Sequence, residues 1–460
     1  MGSAIGSGPG DLELVSVDAS GQPNPGAIID PGASGGPGTG RAIEAVAFPG
    51  EVVLFGFVLR SPDSHGLTVL LSGFGLTLDQ LVANNNPGNG VVVVQDPDTP
   101  SEVLVRDLQA DSNGGSGVAL GADHITVMDV TARNNGEHGI ALFGRLISGQ
   151  RLVAEANTES GVAVAAVSNH EAGIFASADV LTTSVLTATA NQRGILLLAE
   201  DRIEASRLNA VGNGGIGIGA TAANVLLDEA VAENNVIGIV LGGASVELSG
   251  STATGSGPAG DDPDGTGFMI AANRLDATDN VALGNVLGWR FEDTDPLATL
   301  LSDLPAELTT RLARLAPRGL PLAPQRLTLL RTRTEANLAA SMEVRLRPEG
   351  AMQVACSNFL GNGQPGLDLQ TTHTVDARSN FWGQVSGPSH PGNPGGTGDP
   401  IQDGNNGGFG TVLFAPFLTG PATDEDCPLA PVTEVPALGL PGVMLLVLLL
   451  AATAWRRLRA

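Results

Sequence analysis

The sequence contains no tyrosine and no lysine, and aromatic residues make up only 3% of its 460 residues. So few large rings argue against a compact enzyme core built around aromatic side chains, and favour a fold with many short, closely spaced turns. Every basic residue is an arginine, and the formal net charge is −25. We therefore expect the body of the protein to have no general affinity for nucleic acid or anionic lipid.

Cysteine is nearly absent as well, since Cys356 and Cys427 are the only two. A lone pair in an exported protein can close a loop, so a disulfide is one interpretation and two unpaired thiols are the other. The first residues show neither the basic nor the apolar region of a signal peptide. This conflicts with the export that the C-terminal residues indicate, and a truncated or replaced start would reconcile the two.

Glycine is abundant, with 63 residues, and asparagine follows a regular spacing. Asparagine recurs with alanine three positions before it, and successive copies are often 22 residues apart, as at Asn113 and Asn135. The asparagines of this Ala-x-x-Asn repeat are Asn86, Asn113, Asn135, Asn157, Asn191, Asn213, Asn235, Asn280, Asn358 and Asn380. A glycine that opens a short apolar run follows several copies, as at Gly117, and Ser256 stands in a degenerate copy. A fixed internal period is typical of repeat architectures.

A coil of about 22 residues explains this pattern. Three short strands joined by tight bends make one turn, and each strand pairs in parallel with its equivalent in the next turn. Alanine suits a crowded corner, and asparagine tolerates a left-handed bend while its amide bonds to the amides above and below. The glycine that follows lets the backbone leave the bend and enter the next strand. We predict an all-β fold, a single-stranded right-handed parallel β-helix with an asparagine ladder.

The repeat resembles that of the right-handed parallel β-helix proteins, the pectate-lyase-like superfamily, from residue 42 to about residue 420. The resemblance implies a fold and no particular activity, because that superfamily includes lyases, hydrolases, epimerases, phage spikes and adhesins. The segment from Asn380 to Gly383, followed by Ser386-Gly387-Pro388, is similar to the ending of bacterial surface β-helix proteins and is expected to cover the open end. A catalytic base at His390 and a sugar platform at Trp382 are the alternative, although the sequence places no carboxylate at a definable distance.

The period divides the chain into six parts. They are a Gly/Pro-rich N-terminal arm or cap (1–41), the parallel β-helix (42–291), an Arg-rich α+β insertion (292–350), the final coils and end cap (351–420), a linker (421–434) and a C-terminal hydrophobic helix (435–460). In the insertion, leucine spacing predicts a helix over 305–316, and alternating segments follow around 326–334 and 342–347. Its arginines are expected either to bind an anionic glycan or partner, or to dock the insertion on the acidic body.

The C-terminus combines a proline motif, an apolar run and a basic end. The 18 uncharged residues from 438 to 455 would span roughly 27 Å as a helix at about 1.5 Å per residue, and a basic end favours the cytoplasmic side. The residues of the motif and of the basic end are Val435, Pro436, Ala437, Leu438, Arg456, Arg457 and Arg459.

This order resembles the C-terminal sorting domains processed by exosortase-type transpeptidases, the IPTL-CTERM and PEP-CTERM group, although two of the four motif residues differ from Ile-Pro-Thr-Leu. The resemblance implies an exosortase-type sorting transpeptidase as partner and contact with the inner membrane through the tail before processing. It also implies a place in the cell envelope or on the surface of a Gram-negative bacterium. A permanent tail anchor is the alternative, and it gives the same topology.

Motifs for chemistry are sparse. Asp261, Asp262 and Asp264 beside a glycine turn are candidate calcium ligands or a solvated loop between coils. The six histidines share no metal-ligand spacing, and we expect no cofactor other than calcium. The sequence favours a non-catalytic surface or matrix protein that binds glycan or neighbouring cells. The alternative is a polysaccharide lyase, hydrolase or epimerase acting on acidic polysaccharide.

Overall fold

The computed structural model of the protein describes residues 12–15, 27–29, 43–46, 52–61, 64–71, 74–95, 100–158, 160–166, 180–257, 265–292, 326–345, 350–362 and 365–423. The chain divides into two units, Met1–Pro421 and Ala422–Ala460. Of the second unit only Ala422 and Thr423 are described. The described residues form 34 β-strands and no α-helix.

The strands follow one another along the chain in numerical order. The first are β1 Leu12–Val15, β2 Ala27–Ile29, β3 Ile43–Val46, β4 Val52–Phe55, β5 Phe57–Leu59, β6 Leu67–Leu71, β7 Phe74–Ala83, β8 Val91–Gln95 and β9 Ser101–Asp111. Next come β10 Val118–Gly121, β11 His124–Arg133, β12 Ile140–Gly144, β13 Leu146–Glu155, β14 Ser160–Ala166, β15 Val180–Thr189, β16 Arg193–Leu198 and β17 Arg202–Val211. The following strands are β18 Ile216–Thr221, β19 Asn224–Asp228, β20 Val231–Glu233, β21 Ile237–Ser249, β22 Thr252–Thr254, β23 Thr266–Thr278, β24 Val281–Leu283 and β25 Leu287–Phe291. The last are β26 Arg326–Leu330, β27 Arg333–Glu335, β28 Ala340–Val344, β29 Ala351–Ala355, β30 Asn358–Leu360, β31 Leu367–Leu369, β32 Thr374–Asp376, β33 Ile401–Gln402 and β34 Thr411–Leu413.

The strands stack in parallel into a β-solenoid with three faces. Face A begins each turn and contains β3, β6, β8, β10, β12, β14, β16, β18, the first halves of β21 and β23, and then β25, β28, β31 and β33. Face B contains β1, β4, the first halves of β7, β9, β11, β13, β15 and β17, then β19, the second halves of β21 and β23, and β26, β29, β32 and β34. Face C contains β2, β5, the second halves of β7, β9, β11, β13, β15 and β17, and β20, β22, β24, β27 and β30. The predicted all-β parallel β-helix repeat is therefore confirmed.

Alternation along each strand builds the core. In β11 the side chains of Ile125, Val127, Val130 and Ala132 are buried, and those between them face outward. Equivalent residues stack directly between turns, since Ile125 lies in register with Val103 on one side and Ile147 on the other. One continuous apolar core runs from Val52 to Val412, as expected when each turn buries the apolar face of its neighbours.

The number of residues in a turn varies. The ladder asparagines of neighbouring turns are 22 residues apart from Asn113 to Asn135, but 27 apart from Asn86 to Asn113 and 34 apart from Asn157 to Asn191. Additional residues enter at the bends between faces, so the registers of the strands on either side are kept. A uniform coil of about 22 residues therefore describes only part of the chain.

The asparagine ladder is confirmed as a hydrogen-bonded stack at the bend from face C to face A. Asn113 donates to Asn135 Oδ1 from its backbone N (3.0 Å) and from Nδ2 (2.9 Å). The second Nδ2 hydrogen of Asn135 goes to the backbone carbonyl of Ala110 at 3.0 Å. The same paired donation links Asn86 to Asn113, Asn135 to Asn157, Asn157 to Asn191, Asn191 to Asn213, and Asn213 to Asn235.

Two details of the expected bend are wrong. The residue before each ladder asparagine has the left-handed backbone conformation, as Asn134 does with φ 52°. The ladder asparagine itself makes the hydrogen bonds of the stack. The glycine that follows is needed for space: a Cβ on Gly117 would lie 2.7 Å from the carbonyl oxygen of Gly139 and 2.8 Å from Asn135 Nδ2. The next turn leaves no room for a side chain there.

Asn280, Asn358 and Asn380 do not belong to this ladder, although each follows an alanine by three. Asn280 and Asn380 lie at the bend from face B to face C, where their Oδ1 atoms accept from the backbone N of Ser251 and Ser357. Asn358 is the first residue of β30 on face C. The main ladder continues instead through Ser256, Asn285, Asn337, Asn362 and Asp399.

Two predicted boundaries are also wrong. Residues 326–345 are a regular turn, because β26, β27 and β28 pair in register with β23, β24 and β25 before them and with β29, β30 and β31 after them. The predicted insertion can therefore occupy no more than 293–325 and 346–349, which lie outside the described residues together with its expected helix. At the other end, β1 and β2 pair in parallel with β4 and β5, so the solenoid begins within 1–41.

Candidate functional site

Several predicted sites lie outside the described residues. These are the candidate calcium ligands Asp261, Asp262 and Asp264, the tail residues Val435, Pro436, Ala437, Leu438, Arg456, Arg457 and Arg459, and Cys427. Cys356 takes part in a disulfide, and its pairing with Cys427 stays a prediction. No helix among the described residues is long and apolar enough to cross a membrane.

The alternative interpretation, a catalytic base at His390, can be compared with the contacts of its imidazole ring. His390 does have a carboxylate partner, since its Nε2 lies 3.1 Å from Asp403 Oδ1, and both side chains are buried. Its other nitrogen, Nδ1, accepts from the backbone N of Gly392 at 3.0 Å. With both ring nitrogens engaged, His390 has no nitrogen left to accept a proton from a substrate.

Trp382 is likewise part of the fold. Its side chain is fully buried and stacks on Phe359 with 4.3 Å between ring centroids. A buried ring cannot be a sugar platform. The expectation that this segment covers the open end of the solenoid stays a prediction.

The outer surface of face B has a depression. Its volume is about 490 Å³, within the range of ligand sites. It crosses five consecutive strands, β11, β13, β15, β17 and β19, which at about 4.8 Å per strand gives a length of roughly 19 Å. The residues that line it are Thr126, Met128, Ser148, Gly149, Gln150, Thr182, Thr183, Ser184, Glu204, Ala205, Ser206, Leu226 and Asp228.

Small residues on the inner side of face B coincide with the depression. Along one inward-facing row, Gly149, Thr183 and Ala205 follow each other in register, between the larger Val127 on one side and Leu227 on the other. A row of small side chains lets the sheet lie closer to the solenoid axis than its neighbours do. The Thr183 hydroxyl, which would otherwise be an unpaired buried group, donates to the carbonyl oxygen of Gly149 at 3.0 Å.

Five of the ten outward side chains in the depression carry a hydroxyl group. Ser148 and Thr182 are in register on adjacent strands, and so are Gln150, Ser184 and Ser206. The two acidic residues, Glu204 and Asp228, lie towards one end of the row. Glu204 forms an ion pair with Arg202, whereas Asp228 accepts from the hydroxyl of Ser249 at 2.6 Å. The lining combines uncharged donors and acceptors with carboxylates and includes no basic residue.

A second group of polar residues occupies the outer surface of face A. Arg290, Glu343 and Asp368 are in register on β25, β28 and β31. Arg290 Nε lies 3.4 Å from Glu343 Oε2, and Arg345 forms a second ion pair with Glu343. Arg290 also approaches Glu292 at 3.8 Å.

Asp368 differs from its neighbours in this face A group. Burial raises the pKa of its carboxyl group, a hydrogen bond from Gln370 opposes that shift, and the nearby carboxylate of Glu343 adds to it. A carboxyl with a raised pKa beside an ionised carboxylate is the arrangement that lets one group donate a proton while the other stays charged. Because two arginines hold Glu343, the group is also compatible with a purely structural role.

Neither candidate surface has the donors of a metal centre. Within the described ranges, no group of three or more His, Cys, Asp or Glu residues is placed to hold a metal ion. No family model matches the chain, and neither a curated protein nor a solved structure matches it.

Sequence reasoning found neither surface. The face B depression depends on which residues of each turn face inward, and that is clear only once the turns are aligned in register. The small residues Gly149, Thr183 and Ala205 at one repeat position are the signal that an alignment of the turns would have shown. The face A group was missed because residues 326–345 were interpreted as an insertion, which removed Glu343 from the stack.

Proposed function

We propose that this protein is an exported surface protein whose face B binds an extended glycan without altering it chemically. The depression across five strands is the single observation that carries the proposal. Hydroxyl, amide and carboxylate groups repeat at the strand spacing, which is close to the length of one sugar unit in an extended chain. Each of the five strands therefore offers at least one polar side chain to a sugar beside it.

Binding is tested with two variants that carry the same substitution on one strand. Thr182→Arg places a long side chain in the depression, and Thr187→Arg places it on face C of the same strand, β15. We expect the full-length Thr182→Arg variant to lose at least tenfold in affinity for a panel of oligosaccharides by calorimetry. The Thr187→Arg variant should bind as the parent does, and an equal loss in both would refute face B as the site.

The export part of the proposal rests on the tail, which lies outside the described residues. A sorting domain of the exosortase type would hold the body in the cell envelope, outside the cytoplasm. Deletion of residues 435–460 should then release the protein into the medium. Retention of the truncated protein in the envelope at the parent level would exclude the tail as the anchoring element.

A second candidate function, chemistry on acidic polysaccharide, is favoured by one observation, the raised pKa of Asp368 beside Glu343. If this group is catalytic, the parent protein cleaves or epimerises a uronic-acid polymer, and Asp368→Asn abolishes the turnover while leaving the unfolding temperature within a few degrees. Absence of new reducing ends, unsaturated products and changed sugar stereochemistry with the parent protein would exclude this function.

A further inference from the structure

The charges around the face B depression point to the class of sugar that it takes. The inference rests on the proposed glycan-binding function and concerns only its specificity. Beyond Glu204 and Asp228, the outer surface of face B has two further carboxylates, Glu247 and Asp276, on the next two turns. Four consecutive turns therefore each place one carboxylate on this surface.

Two of these four carboxylates have no ion-pair partner among the described residues. Glu204 pairs with Arg202, and Asp276 pairs with Arg274. Asp228 has only the hydroxyl of Ser249 as its partner, and Glu247 has no ion-pair partner among the described residues. Their strands, β19 and β21, are adjacent, and Asp228 is in register with Ser249, two residues after Glu247. Asp228 and Glu247, the two carboxylates without an ion pair, are thus diagonal neighbours on one surface.

Such a surface discriminates against anionic sugars. A uronic-acid chain laid along it would bring its carboxylates next to Asp228 and Glu247 on a protein of net charge −25, and like charges in contact oppose binding. Neutral sugars avoid the repulsion, and their hydroxyl groups donate hydrogen bonds to the carboxylates without bringing an opposite charge. An ammonium group gains charge-assisted hydrogen bonds, because it donates three hydrogens to acceptors that the row supplies as carboxylate and hydroxyl oxygens.

We infer that face B binds a polymer of amino sugars that carry free ammonium groups. The hydroxyl-rich strands β13 and β15 hold the uncharged parts of the chain, and Asp228 and Glu247 hold ammonium groups of the sugars beyond them. Acetylation of the amines would remove the charge and leave the rest of the contacts in place.

Three hexasaccharides, of β-linked glucosamine, β-linked N-acetylglucosamine and α-linked galacturonic acid, test the inference at mildly acidic pH, where the amine is protonated. The full-length protein should bind the glucosamine hexamer about tenfold more tightly than the acetylated one, the size of one charge-assisted contact. It should not bind the galacturonic acid hexamer. The double variant Asp228→Asn/Glu247→Gln should lose this preference while keeping its affinity for the acetylated hexamer.

A control variant separates a specific site from general attraction by the acidic surface. Glu155→Gln/Glu233→Gln removes two carboxylates from face C and should leave the preference for glucosamine unchanged. Equal affinity for the glucosamine and acetylated hexamers would overturn the inference and leave the proposed function standing. Equal loss in the face B and face C variants would overturn it too, whereas failure of all three hexamers to bind would count against the proposed function itself.

Discussion

Asp399 ends the asparagine ladder by accepting two hydrogen bonds from Asn362 on a single carboxylate oxygen. The side-chain Nδ2 of Asn362 lies 2.7 Å from Asp399 Oδ2, and its backbone N lies 3.2 Å from the same atom. This is the geometry of every asparagine pair earlier in the ladder. The difference is that a buried carboxylate stands where the three preceding turns have an amide.

Replacing Asp399 by asparagine should therefore stabilise the protein at neutral pH. Burial raises the pKa of Asp399 in spite of the hydrogen bonds from Asn362 and Gly361. The folded state thus binds the proton more tightly than the unfolded state, and the ionised form costs stability as pH rises through the raised pKa. We expect Asp399→Asn to gain about 0.5–1 kcal/mol in chemical denaturation at neutral pH. The gain should shrink when the pH is lowered below the ordinary carboxyl range.

Asp376→Asn is the matched control, because the pKa of Asp376 is shifted in the opposite direction from that of Asp399. A side-chain hydrogen bond from Arg378 lowers its pKa, so its contribution to stability is present above the ordinary carboxyl pKa and is lost as pH falls through the lowered value. Asp376→Asn should be neutral or slightly destabilising at neutral pH. If both variants stabilise equally, the burial of Asp399 is not the cause.

The interior of the ladder should be far less tolerant. Asn135→Ala removes the acceptor for Asn113 and leaves two buried N–H donors of Asn113 without their partner, together with the carbonyl of Ala110. Each unpaired buried group costs about 1–3 kcal/mol, so we expect these three groups together to cost at least about 3 kcal/mol in urea denaturation. Asn209→Ala changes an exposed asparagine on face C and should stay within about 0.5 kcal/mol of the parent. Similar losses in the two variants would refute the structural role of the ladder.

The ladder also shows which part of the fold could be predicted from the periodicity of the sequence. Seven copies of Ala-x-x-Asn, from Asn86 to Asn235, lie on one stack because alanine and asparagine occupy the same bend in each turn. The motif then fails at Asn280, since the bend from face B to face C accepts asparagine as well. After Asn285 the alanine position becomes Thr334 and then Phe359, and a search for alanine passes over these turns.

The same substitutions explain the misplaced insertion. Residues 326–345 lack the alanine signature because Thr334 takes the inward position of alanine, and large rings fill inward positions of the neighbouring turns. Phe268 stacks on Trp289 with 4.0 Å between ring centroids on adjacent turns. The spacing of a sequence motif indicates the register between turns only where equivalent positions have similar residues. Where those residues are replaced by larger ones, the register can be recognised only from the pairing of strands.

Candidate sites were harder to predict than the fold for a related reason. The depression on face B depends on the absence of bulk at Gly149 and Ala205, and an absence leaves no motif in the sequence. Catalytic and metal motifs, in contrast, consist of particular residues at particular spacings. A surface formed by one residue from each turn has its members 20 to 50 residues apart, and their alignment depends on the bends between them.

Glycine at the start of face A gives a further prediction. A Cβ on Gly117 would lie 2.7 Å from a backbone oxygen of the next turn, and neither backbone can move without breaking the stack. We expect Gly117→Ala to cost about 3 kcal/mol or more, which is in the range of overpacked cores. Gly395→Ala is the control, because a Cβ there meets nothing within 4 Å. Thermal unfolding should separate the two variants by about 3 °C or more, and equal midpoints would contradict the close approach.

The stack of Phe359 on Trp382 provides the last prediction. Both rings are fully buried at the C-terminal end of the core, with 4.3 Å between their centroids and 8° between their planes. Trp382→Ala would leave a cavity there, and such truncations cost about 3–5 kcal/mol. We expect the unfolding midpoint to fall accordingly, while oligosaccharide affinity measured below that midpoint stays at the parent value because face B is untouched. If affinity falls and the midpoint does not, Trp382 acts as a sugar platform and the burial of its ring does not describe the protein in solution.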